Sequence, residues 1–360
     1  MRILFIPFDT KDILSNHAFG SRIYRLSLED KVMGVARNRS FSAPSKGFLS
    51  YVKFVTYGLR ASFFGLSHRK DFDLIYCYAS HTLFGAVTSI ITGKPCVEEK
   101  GGVSRVWSRK VGKSGLYIMV TIISEKITAM FAKKTIVLSE ADKRSYIKYG
   151  FNPEKIVVIP PFVNFSLADG VAISKEVLRK KLGLEKYGRI VIFTGTRESP
   201  ENKLAVWWIN KELAPTIARE CGQTQILLTG SGPIPDYPHP IMTFTGFVPN
   251  VFEYILAADV CLAPMEQPEG LLTKVLDSIS CSKPTVVMAS AINGIPELTD
   301  GYNAMVAKDK KEFIQKTIYL LKNLGEAKVI GDRARKTLEE HYSWEFSKGK
   351  FIQTLGECIS

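Results

Sequence analysis

The order of strand-like and helix-like segments is the feature that most constrains the fold of this chain. Short runs of β-branched and other apolar residues alternate with helix-length segments, and the pattern restarts after the Pro-Pro pair at 160–161. This alternation is typical of α/β proteins, in which helices connect the strands of a parallel sheet. A chain of 360 residues also exceeds what one hydrophobic core usually serves. The sequence therefore predicts two doubly wound, Rossmann-like domains that bind ligands at the carboxyl ends of their strands.

The apolar runs and the turn residues between them place the individual elements. Strands are predicted at residues 2–8, 73–79, 95–99, 135–139, 156–160, 190–194, 225–229, 260–264 and 285–289. Helices are predicted at residues 20–29, 81–91, 116–132, 140–149, 205–221, 251–258, 272–280, 311–324 and 326–341. A hinge follows from the two prolines and lies at residues 160–164.

The positive charge of the chain belongs to its first half. Residues 1–160 contain 25 Lys and Arg against 12 Asp and Glu, whereas residues 161–360 contain 23 of each, and the formal net charge is +13. A basic half beside a neutral half indicates an anionic partner surface, such as anionic lipid, a phosphorylated acceptor or nucleic acid. General solubility is the alternative explanation of the same charge.

Residues 41–70 interleave aromatic and basic side chains at helical spacing. The cations include Lys46, Lys53 and Arg60, and seven Phe or Tyr residues lie among them. A stretch of this kind can lie on an anionic membrane with its aromatic rings at the headgroups. An amphipathic helix packed on the domain's own sheet is the alternative, and the sequence leaves both open.

The cysteines and the hydropathy limit the compartment. The six cysteines show no CxxC spacing, and most lie in apolar runs, so we expect reduced, buried thiols and neither a disulfide framework nor a zinc site. No apolar stretch reaches roughly 18 uncharged residues, so we expect no transmembrane helix. A cytoplasmic protein, with a peripheral site on the inner face of the cell membrane as an option, fits these observations.

Two carboxylates eight positions apart, Glu269 and Asp277, flank a helix-like apolar run. Positions i and i+8 of a helix lie on roughly one face, about 12 Å apart along its axis. If Glu269 begins the helix, the free amides of Gly270, Leu271 and Leu272 form an anion-binding end. A nucleoside diphosphate sugar would fit, with hydroxyl-bearing groups at the two acids and its phosphates on the amides. An amphipathic helix with two solvated acids is the alternative.

A second basic segment follows the predicted strand at 190–194. Thr194-Gly195-Thr196-Arg197 ends that strand, and Lys203 comes six residues later. Two cations at the carboxyl end of a strand can clamp a diphosphate and stabilise it as a leaving group. A solvated loop is the alternative, and the Pro-x-Asn segment at 200–202 is similar to a subgroup of enzymes that lacks this basic pair.

The carboxylate pair carries a family resemblance. Glu269-Gly-Leu-Leu-Thr-Lys-Val-Leu-Asp277, followed by Cys281-Ser-Lys-Pro-Thr-Val-Val287, resembles the donor-site signature of retaining GT-B glycosyltransferases of the glycogen-synthase-like group. The family pattern has Glu at both ends, so Asp277 is one methylene shorter. The resemblance extends from about residue 73 to residue 345 and is strongest between 190 and 300.

The resemblance implies the GT-B architecture, in which two Rossmann-like domains face a cleft. It places an acceptor-side domain at residues 1–163, a donor-binding domain at residues 164–342, and at residues 343–360 a terminal helix that returns to the first domain. It implies no metal ion and no cofactor, with the sugar nucleotide as co-substrate.

The resemblance also implies roles at the donor site. Glu269 would hold hydroxyls of the donor sugar, and Asp277 would hold the ribose. The diphosphate would be stabilised by Arg197, Lys203 and the amides of residues 270–272. The remaining predicted donor contacts are Gly195, Thr196, Phe247, Val248 and Thr273.

On the acceptor side the resemblance is looser. Gly20, Glu99 and Gly101 are the candidates, and the His that many family members carry there is not visible. Retaining transfer by front-face attack can use the donor phosphate as base, so this departure does not exclude catalysis.

For three other features of the sequence, an explanation without a ligand is favoured. Gly230-Ser-Gly232-Pro233 lacks the third glycine and the helix of a dinucleotide loop. Asp71-Phe-Asp73 precedes its strand and so lies at the wrong end of the sheet for a metal site. Lys274 lies one turn into the signature helix, where it could approach the phosphates, but a surface lysine is the interpretation that the sequence favours.

The sequence therefore predicts a retaining, metal-independent glycosyltransferase that acts on a lipid-linked or membrane-proximal glycan acceptor. A sugar-nucleotide epimerase of the same fold is the alternative enzyme. A basic nucleic-acid-binding protein or a ligand-sensing non-enzyme is the alternative from another class, although no nucleic-acid recognition motif is present.

Overall fold

The computed structural model of the chain describes residues 1–6, 19–20, 32–34, 48–78, 82–110, 112–171, 173–266 and 271–359. These residues form two compact α/β units. The first contains the first strand, most of residues 20–162 and the terminal helix Trp344–Gly356, and the second contains residues 163–343. The helix predicted at 20–29 lies outside the described residues except for Gly20, as do residues 41–47 of the aromatic and basic stretch.

The first unit is built on a parallel sheet whose strands are β1 Ile3–Ile6, β3 Val32–Gly34, β4 Leu74–Tyr78, β5 Cys96–Lys100, β6 Lys134–Val137 and β7 Ile156–Val158. They lie in the order β3-β1-β4-β5-β6-β7. A separate two-stranded sheet joins β2 Phe19–Gly20 to β8 Phe162–Val163. The α-helices that the structure describes before residue 163 are α1 Phe48–Ser67, α2 Thr82–Thr92, α3 Ser104–Lys110, α4 Gly115–Phe131 and α5 Glu140–Lys148.

Both faces of this first sheet are covered. Leu4 and Ile75 lie on one face, where they pack with Ala61 of α1. Ile3 and Tyr76 lie on the other, where they pack against Phe351 of the terminal helix. Strands buried on both faces carry near-continuous apolar runs rather than alternating ones, as β1 and β4 do here.

The second unit has a parallel sheet of strands β9 Arg189–Thr194, β10 Thr224–Thr229, β11 Met242–Gly246, β12 Val260–Ala263, β13 Thr285–Met288 and β14 Met305–Ala307. The order is β11-β10-β9-β12-β13-β14, which is the strand order 3-2-1-4-5-6 of the Rossmann fold. Its helices are α6 Ser166–Asp169, α7 Lys175–Lys181, α8 Pro200–Trp208, α9 Ala214–Glu220, α10 Val251–Ala257, α11 Thr273–Ser280, α12 Lys310–Lys322 and α13 Leu324–Tyr342.

A buried carboxylate fixes the amino ends of the two central strands, β9 and β12. Asp259 directly precedes β12 and accepts hydrogen bonds from the Ile190 amide at 2.7 Å and from the Arg179 guanidinium at 2.7 Å. Lys175 pairs with the same carboxylate. Helix α7 is thereby tied to the strand pair whose opposite ends form the site below.

Most predicted elements are confirmed within two residues at each end, but of the edge strands of the two six-stranded sheets only β7 was predicted. The sequence did not predict β3, β11 or β14, because these edge strands are short or only half-buried and so lack a strong apolar run. The helix predicted to begin at Ala205 begins at Pro200, where a proline occupies the first turn. A π-helical turn, Ile209–Leu213, then interrupts it.

The six cysteines are buried and free, as the sequence predicted. No helix among the described residues is long and apolar enough to cross a membrane.

Candidate functional site

The candidate site of the second unit lies where β9 and β12 end. These strands pair in parallel, with Leu262 opposite Phe193. The chain leaves β9 toward β10 on one side and leaves β12 toward β13 on the other. Connections that diverge in this way leave a crevice at the carboxyl ends of the strands, which is where open α/β sheets bind ligands. The described segments at this crevice are residues 195–199, 264–266 and 271–272.

The loop after β9 packs tightly against the loop after β10. The Gly195 amide donates to the Thr229 carbonyl at 3.2 Å, and the Arg197 amide donates to the Ser231 carbonyl at 2.7 Å. Gly230 has a φ of 108°, and a Cβ there would lie 2.5 Å from the Gly195 carbonyl oxygen. Glycine at 230 is therefore required for close backbone approach, which explains this glycine-rich segment without a dinucleotide.

Arg197 fastens these two loops together. Its Nε donates to the Pro233 carbonyl at 2.9 Å and one of its Nη atoms donates to the Gly232 carbonyl at 3.1 Å. The guanidinium stacks 5.1 Å from the Phe244 ring. The residue is 2% exposed, and burial lowers the pKa of its guanidinium from the ordinary value. These contacts give Arg197 a positioning role, and its predicted role as a phosphate ligand stays a prediction.

Lys203 lies on α8 and is exposed. Its ammonium approaches the Trp207 ring at 5.4 Å. The described structure thus leaves this cation in solvent, and its predicted contact with the diphosphate is not tested.

Lys274 is the cation that lies at the centre of the crevice. Its Nζ is 4.1 Å from the centroid of the Phe193 ring at the end of β9 and donates a 2.6 Å hydrogen bond to Asn202 Oδ1. It also lies 3.8 Å from Met265 Sδ after β12. The ammonium therefore bridges the carboxyl ends of both central strands. The sequence favoured a surface position for Lys274 over an approach to the phosphates, and the packing of its ammonium against Phe193, Asn202 and Met265 is against the surface position.

Asn202 and Gly195 complete the surroundings of this ammonium. The residues around it are called the Lys274 cradle below: Phe193, Gly195, Asn202 and Met265. Asn202 Nδ2 donates to the Thr196 carbonyl at 2.8 Å, so the amide that holds Lys274 also holds the loop after β9. Gly195 has a φ of 137°, and a Cβ there would lie 2.7 Å from Asn202 Nδ2 and 3.1 Å from Lys274 Nζ. Only glycine fits this position. The Pro-x-Asn segment at 200–202 was the sequence signal that could have pointed to this arrangement.

The environment of Lys274 changes its protonation. Burial lowers the pKa of Lys274 to about 7, against a smaller opposing effect of the Glu201 and Asp277 carboxylates. The side chain forms no ion pair within the described part of the chain. An anion placed beside it would supply the missing negative charge and favour the ammonium form.

The signature helix α11 begins at Thr273, one residue after the predicted start. Leu272 is its extended N-cap residue and provides no side-chain cap. The first helical amides are therefore those of Thr273 and Lys274, because the backbone at Leu271 and Leu272 is not helical. Glu269 and Gly270 lie outside the described residues.

The other donor-site candidates occupy varied positions. Asp277 is buried in the middle of α11, Thr273 is exposed in its first turn, and Leu271 and Leu272 pack partly buried against the core of the unit. Their predicted ligand contacts stay predictions.

The edge strand β11 ends beside the Gly230 loop. The Gly230 amide donates to the Gly246 carbonyl at 2.7 Å, and Gly246 has a φ of 71°. The turn leaves the Phe247 ring 80% exposed, whereas Val248 is half-buried. An exposed ring at the end of a strand can stack on a nucleotide base. The sequence predicted instead that backbone groups of this segment contact the base, and that stays a prediction.

The acceptor-side candidates lie in three different settings. Gly20 ends the short strand β2. Glu99 is buried within β5, where it accepts a hydrogen bond from the Tyr76 hydroxyl. Gly101 follows β5 and is exposed. The burial of Glu99 is explained by this internal hydrogen bond, and no ligand contact of the three is tested.

A cavity of about 630 Å³ opens next to this crevice, beyond the carboxyl ends of β12, β13 and β14, among Glu266, Ser290, Lys308 and neighbouring residues. It contains none of the predicted site residues, so we place the candidate site at the ends of β9 and β12 instead. Among the described residues, no cluster of His, Cys, Asp and Glu could hold a metal ion.

Comparison with known protein families gives a match over the second unit. Residues 188–323 match the family described as glycosyl transferases group 1. An uncharacterised glycosyltransferase of Methanocaldococcus jannaschii is 23% identical over 322 residues, which cover 83% of this chain and 78% of that protein. The family match contains the whole Lys274 cradle.

Solved structures match the chain over nearly its full length. Anabaena HepE in complex with UDP has a TM-score of 0.71 at 17% identity and covers 99% of this chain and 100% of its own. Sucrose-phosphate synthase of Thermosynechococcus elongatus has a TM-score of 0.71 at 15% identity, with the same coverage. These proteins are GT-B glycosyltransferases, and the likeness confirms the predicted α/β GT-B fold with Rossmann-like domains.

Proposed function

We propose that this chain, a member of the GT-B glycosyltransferases related to the glycogen-synthase-like group, transfers a sugar from a nucleoside diphosphate sugar to a glycan acceptor. One observation carries the proposal: the Lys274 ammonium lies at the ends of β9 and β12, and its hydrogen-bond acceptors among the described residues, the Asn202 amide oxygen and the Met265 thioether, are neutral. A diphosphate is the part of a sugar nucleotide that requires such a cation. The crystal structure of HepE holds UDP, which supports the same ligand class here.

In this proposal the residues of the second unit divide the donor among them. Lys274 and the first amides of α11 bind the diphosphate, and Asp277 binds the ribose. Phe247 stacks on the base, and Glu269 holds hydroxyls of the sugar. Arg197 acts indirectly, because it fixes the position of the loop after β9. The solvent-exposed Lys203 contributes its positive charge. Preorganised cations stabilise the charge that develops on the departing diphosphate.

We further propose that the reaction proceeds with retention and without a metal ion. The bond from the anomeric carbon to the diphosphate oxygen breaks, and the acceptor oxygen bonds to that carbon on the same face. The acceptor proton passes to the departing diphosphate, so no side-chain base is needed. The cations Lys274 and Lys203 take the place of a divalent metal. Turnover should therefore persist in EDTA, and activity that EDTA abolishes and magnesium or manganese restores would contradict this step.

The acceptor that we propose is a lipid-linked or membrane-proximal glycan on the cytoplasmic side of a membrane. The net charge of the first half, which is +13 as a difference of basic and acidic residues, supports an anionic surface near the acceptor. No cofactor is proposed.

A thermal-shift series with nucleoside diphosphates, beginning with UDP, tests the donor site. A ligand at a hundred times its dissociation constant adds about 2.7 kcal/mol to the free energy of unfolding. We expect the Lys274→Met variant to lose this stabilisation, whereas Lys180→Met, which removes an exposed lysine of α7, should keep it. If no nucleoside diphosphate or sugar nucleotide stabilises the wild-type protein, the proposed function is wrong.

The Glu269→Ala variant tests the transfer step separately from nucleotide binding. Loss of one strong transition-state contact is worth roughly 3 kcal/mol, or about a hundredfold in rate. We expect this variant to bind the nucleoside diphosphate as the wild type does but to transfer sugar about a hundredfold more slowly. A folded variant with wild-type turnover would remove Glu269 from the site.

A further inference from the structure

Three helices of the first unit lie side by side on one face of its sheet. Helix α2 packs against both α1 and α4. Helix α1 covers Leu4 and Ile75, and Thr128 of α4 accepts a hydrogen bond from Lys100 at the end of β5. The outer surface of these helices is called the helical face below.

The helical face exposes apolar side chains where a soluble surface usually carries charges. On α4, Leu116 is 68% exposed, and Met119, Val120 and Ile123 are each at least 50% exposed. Their spacing of three and four residues makes one continuous stripe along the outer side of the helix. Met130 extends the stripe to the end of α4.

The neighbouring helices continue this apolar surface. Leu59, Phe63 and Leu66 recur on one side of α1, and Phe63 is 76% exposed. Ile90 and Ile91 are exposed at the end of α2. Contiguous exposed apolar surface of this extent, unlike single exposed residues, marks an interaction site.

The charges of the helical face have a single sign. The sequences of α1, α2 and α4 contain one acidic residue, Glu125, and it is buried against Arg105 at 2.7 Å. Arg60 and Lys126 are exposed on α1 and α4, and Lys113 and Lys133 are exposed just beyond the two ends of α4. The outer surface therefore offers apolar side chains and cations without a compensating carboxylate.

We propose that the helical face docks on an anionic lipid bilayer. Aliphatic and aromatic side chains among cations match the boundary between acyl chains and anionic headgroups. A second copy of the chain fits less well, because pairing two such faces would bring cations against cations. The proposal deepens the proposed function by placing the enzyme at a membrane, and it rests on the acceptor class proposed above.

Vesicle co-sedimentation separates the apolar and the ionic parts of this surface. The wild-type protein should bind phosphatidylcholine vesicles that contain phosphatidylglycerol and should bind pure phosphatidylcholine poorly. Met119→Glu combined with Ile123→Glu should weaken binding by about a hundredfold through lost apolar contact. Arg60→Glu combined with Lys126→Glu should weaken it at least 25-fold at low salt, at about fivefold for each cation removed.

The matched control changes the second unit in the same way. Val177→Glu combined with Val329→Glu replaces two exposed valines there and should bind vesicles as the wild type does. UDP stabilisation is measured on every variant, so failure of the donor site is distinguished from failure of the helical face. Equal vesicle binding by the wild type and by both helical-face variants would overturn the proposal. So would no binding of wild type to anionic vesicles, or a dimer that the Met119 and Ile123 changes dissociate.

Discussion

Two lysines, the buried Lys100 of the first unit and the half-buried Lys274 of the second, differ in how their charges are compensated. The Lys100 ammonium lies 3.1 Å from the Glu98 carboxylate, and both side chains are almost fully buried. Lys274 instead contacts the Asn202 amide, a thioether and an aromatic ring. A buried ion pair balanced inside the protein indicates a structural role, whereas a cation that has no ion-pair partner in the described part of the chain is arranged for a ligand that supplies one.

Breaking the Lys100–Glu98 ion pair should cost more stability than removing the charge of Lys274. We expect Glu98→Gln to lower the free energy of unfolding by about 3–5 kcal/mol, because it leaves the Lys100 charge buried without a counterion. Thr135 Oγ1, which donates to Glu98 at 2.7 Å, does not replace that charge. Chemical denaturation of the two variants Glu98→Gln and Glu98→Leu/Lys100→Met measures the effect.

The double variant is the control for this prediction. Removing both charges should restore most of the lost stability, since an apolar pair of similar volume often replaces a buried ion pair without cost. A single variant as stable as the wild type would show that Lys100 does not depend on Glu98, and the contrast with Lys274 would then fail.

The uncompensated lysine should affect activity more than stability. We expect Lys274→Met to fold but to lose about a hundredfold in kcat/KM, or roughly 3 kcal/mol of transition-state stabilisation. Arg197→Met should instead destabilise the loops at 195–199 and 230–233, because its guanidinium bonds to their backbone carbonyls. Steady-state kinetics together with thermal unfolding distinguish the two outcomes. Full activity in Lys274→Met would remove this lysine from the donor site.

The sequence predicted the fold well because buried parallel strands appear in it as continuous apolar runs. Both central strands of the second unit, Ile190–Thr194 within β9 and Val260–Ala263, are apolar runs bounded by polar turns. The edge strand β14, with three residues, lacks such a run, whereas the equally short edge strand β7 was recognised because the apolar run continues to Ile159.

The candidate site was predicted less completely, and the reason is geometric. Arg197 and Lys203 follow β9 in the sequence, so both were expected to face the ligand, yet one turns back onto the Gly232 and Pro233 carbonyls. Lys274 looked like a surface residue because helical spacing alone cannot show that the turn before it meets the ends of two strands. Only the packing of Asn202 and Gly195 around its ammonium reveals that position.

The pH dependence of donor binding has the smallest expected effect of these predictions, and it tests the contrast between Lys274 and Lys100 most directly. The pKa of Lys274 is lowered by burial to about 7 in the folded protein, so above that pH the unfolded chain holds a proton that the folded protein has released. The free energy of unfolding contributed by this residue therefore rises with pH from about 7 up to the ordinary lysine pKa, and is flat below 7. A bound diphosphate should raise the pKa of Lys274 again, so that binding takes up a proton and the affinity for the diphosphate falls by up to about tenfold per pH unit above 7.

Calorimetric titration with UDP in two buffers of different ionisation enthalpy measures this proton uptake. The Lys274→Met variant, which has no such proton to bind, corrects for titration of the nucleotide itself. Equal proton uptake in the two proteins would mean that Lys274 is already charged in the free enzyme, and the distinction from Lys100 would then lie in geometry alone.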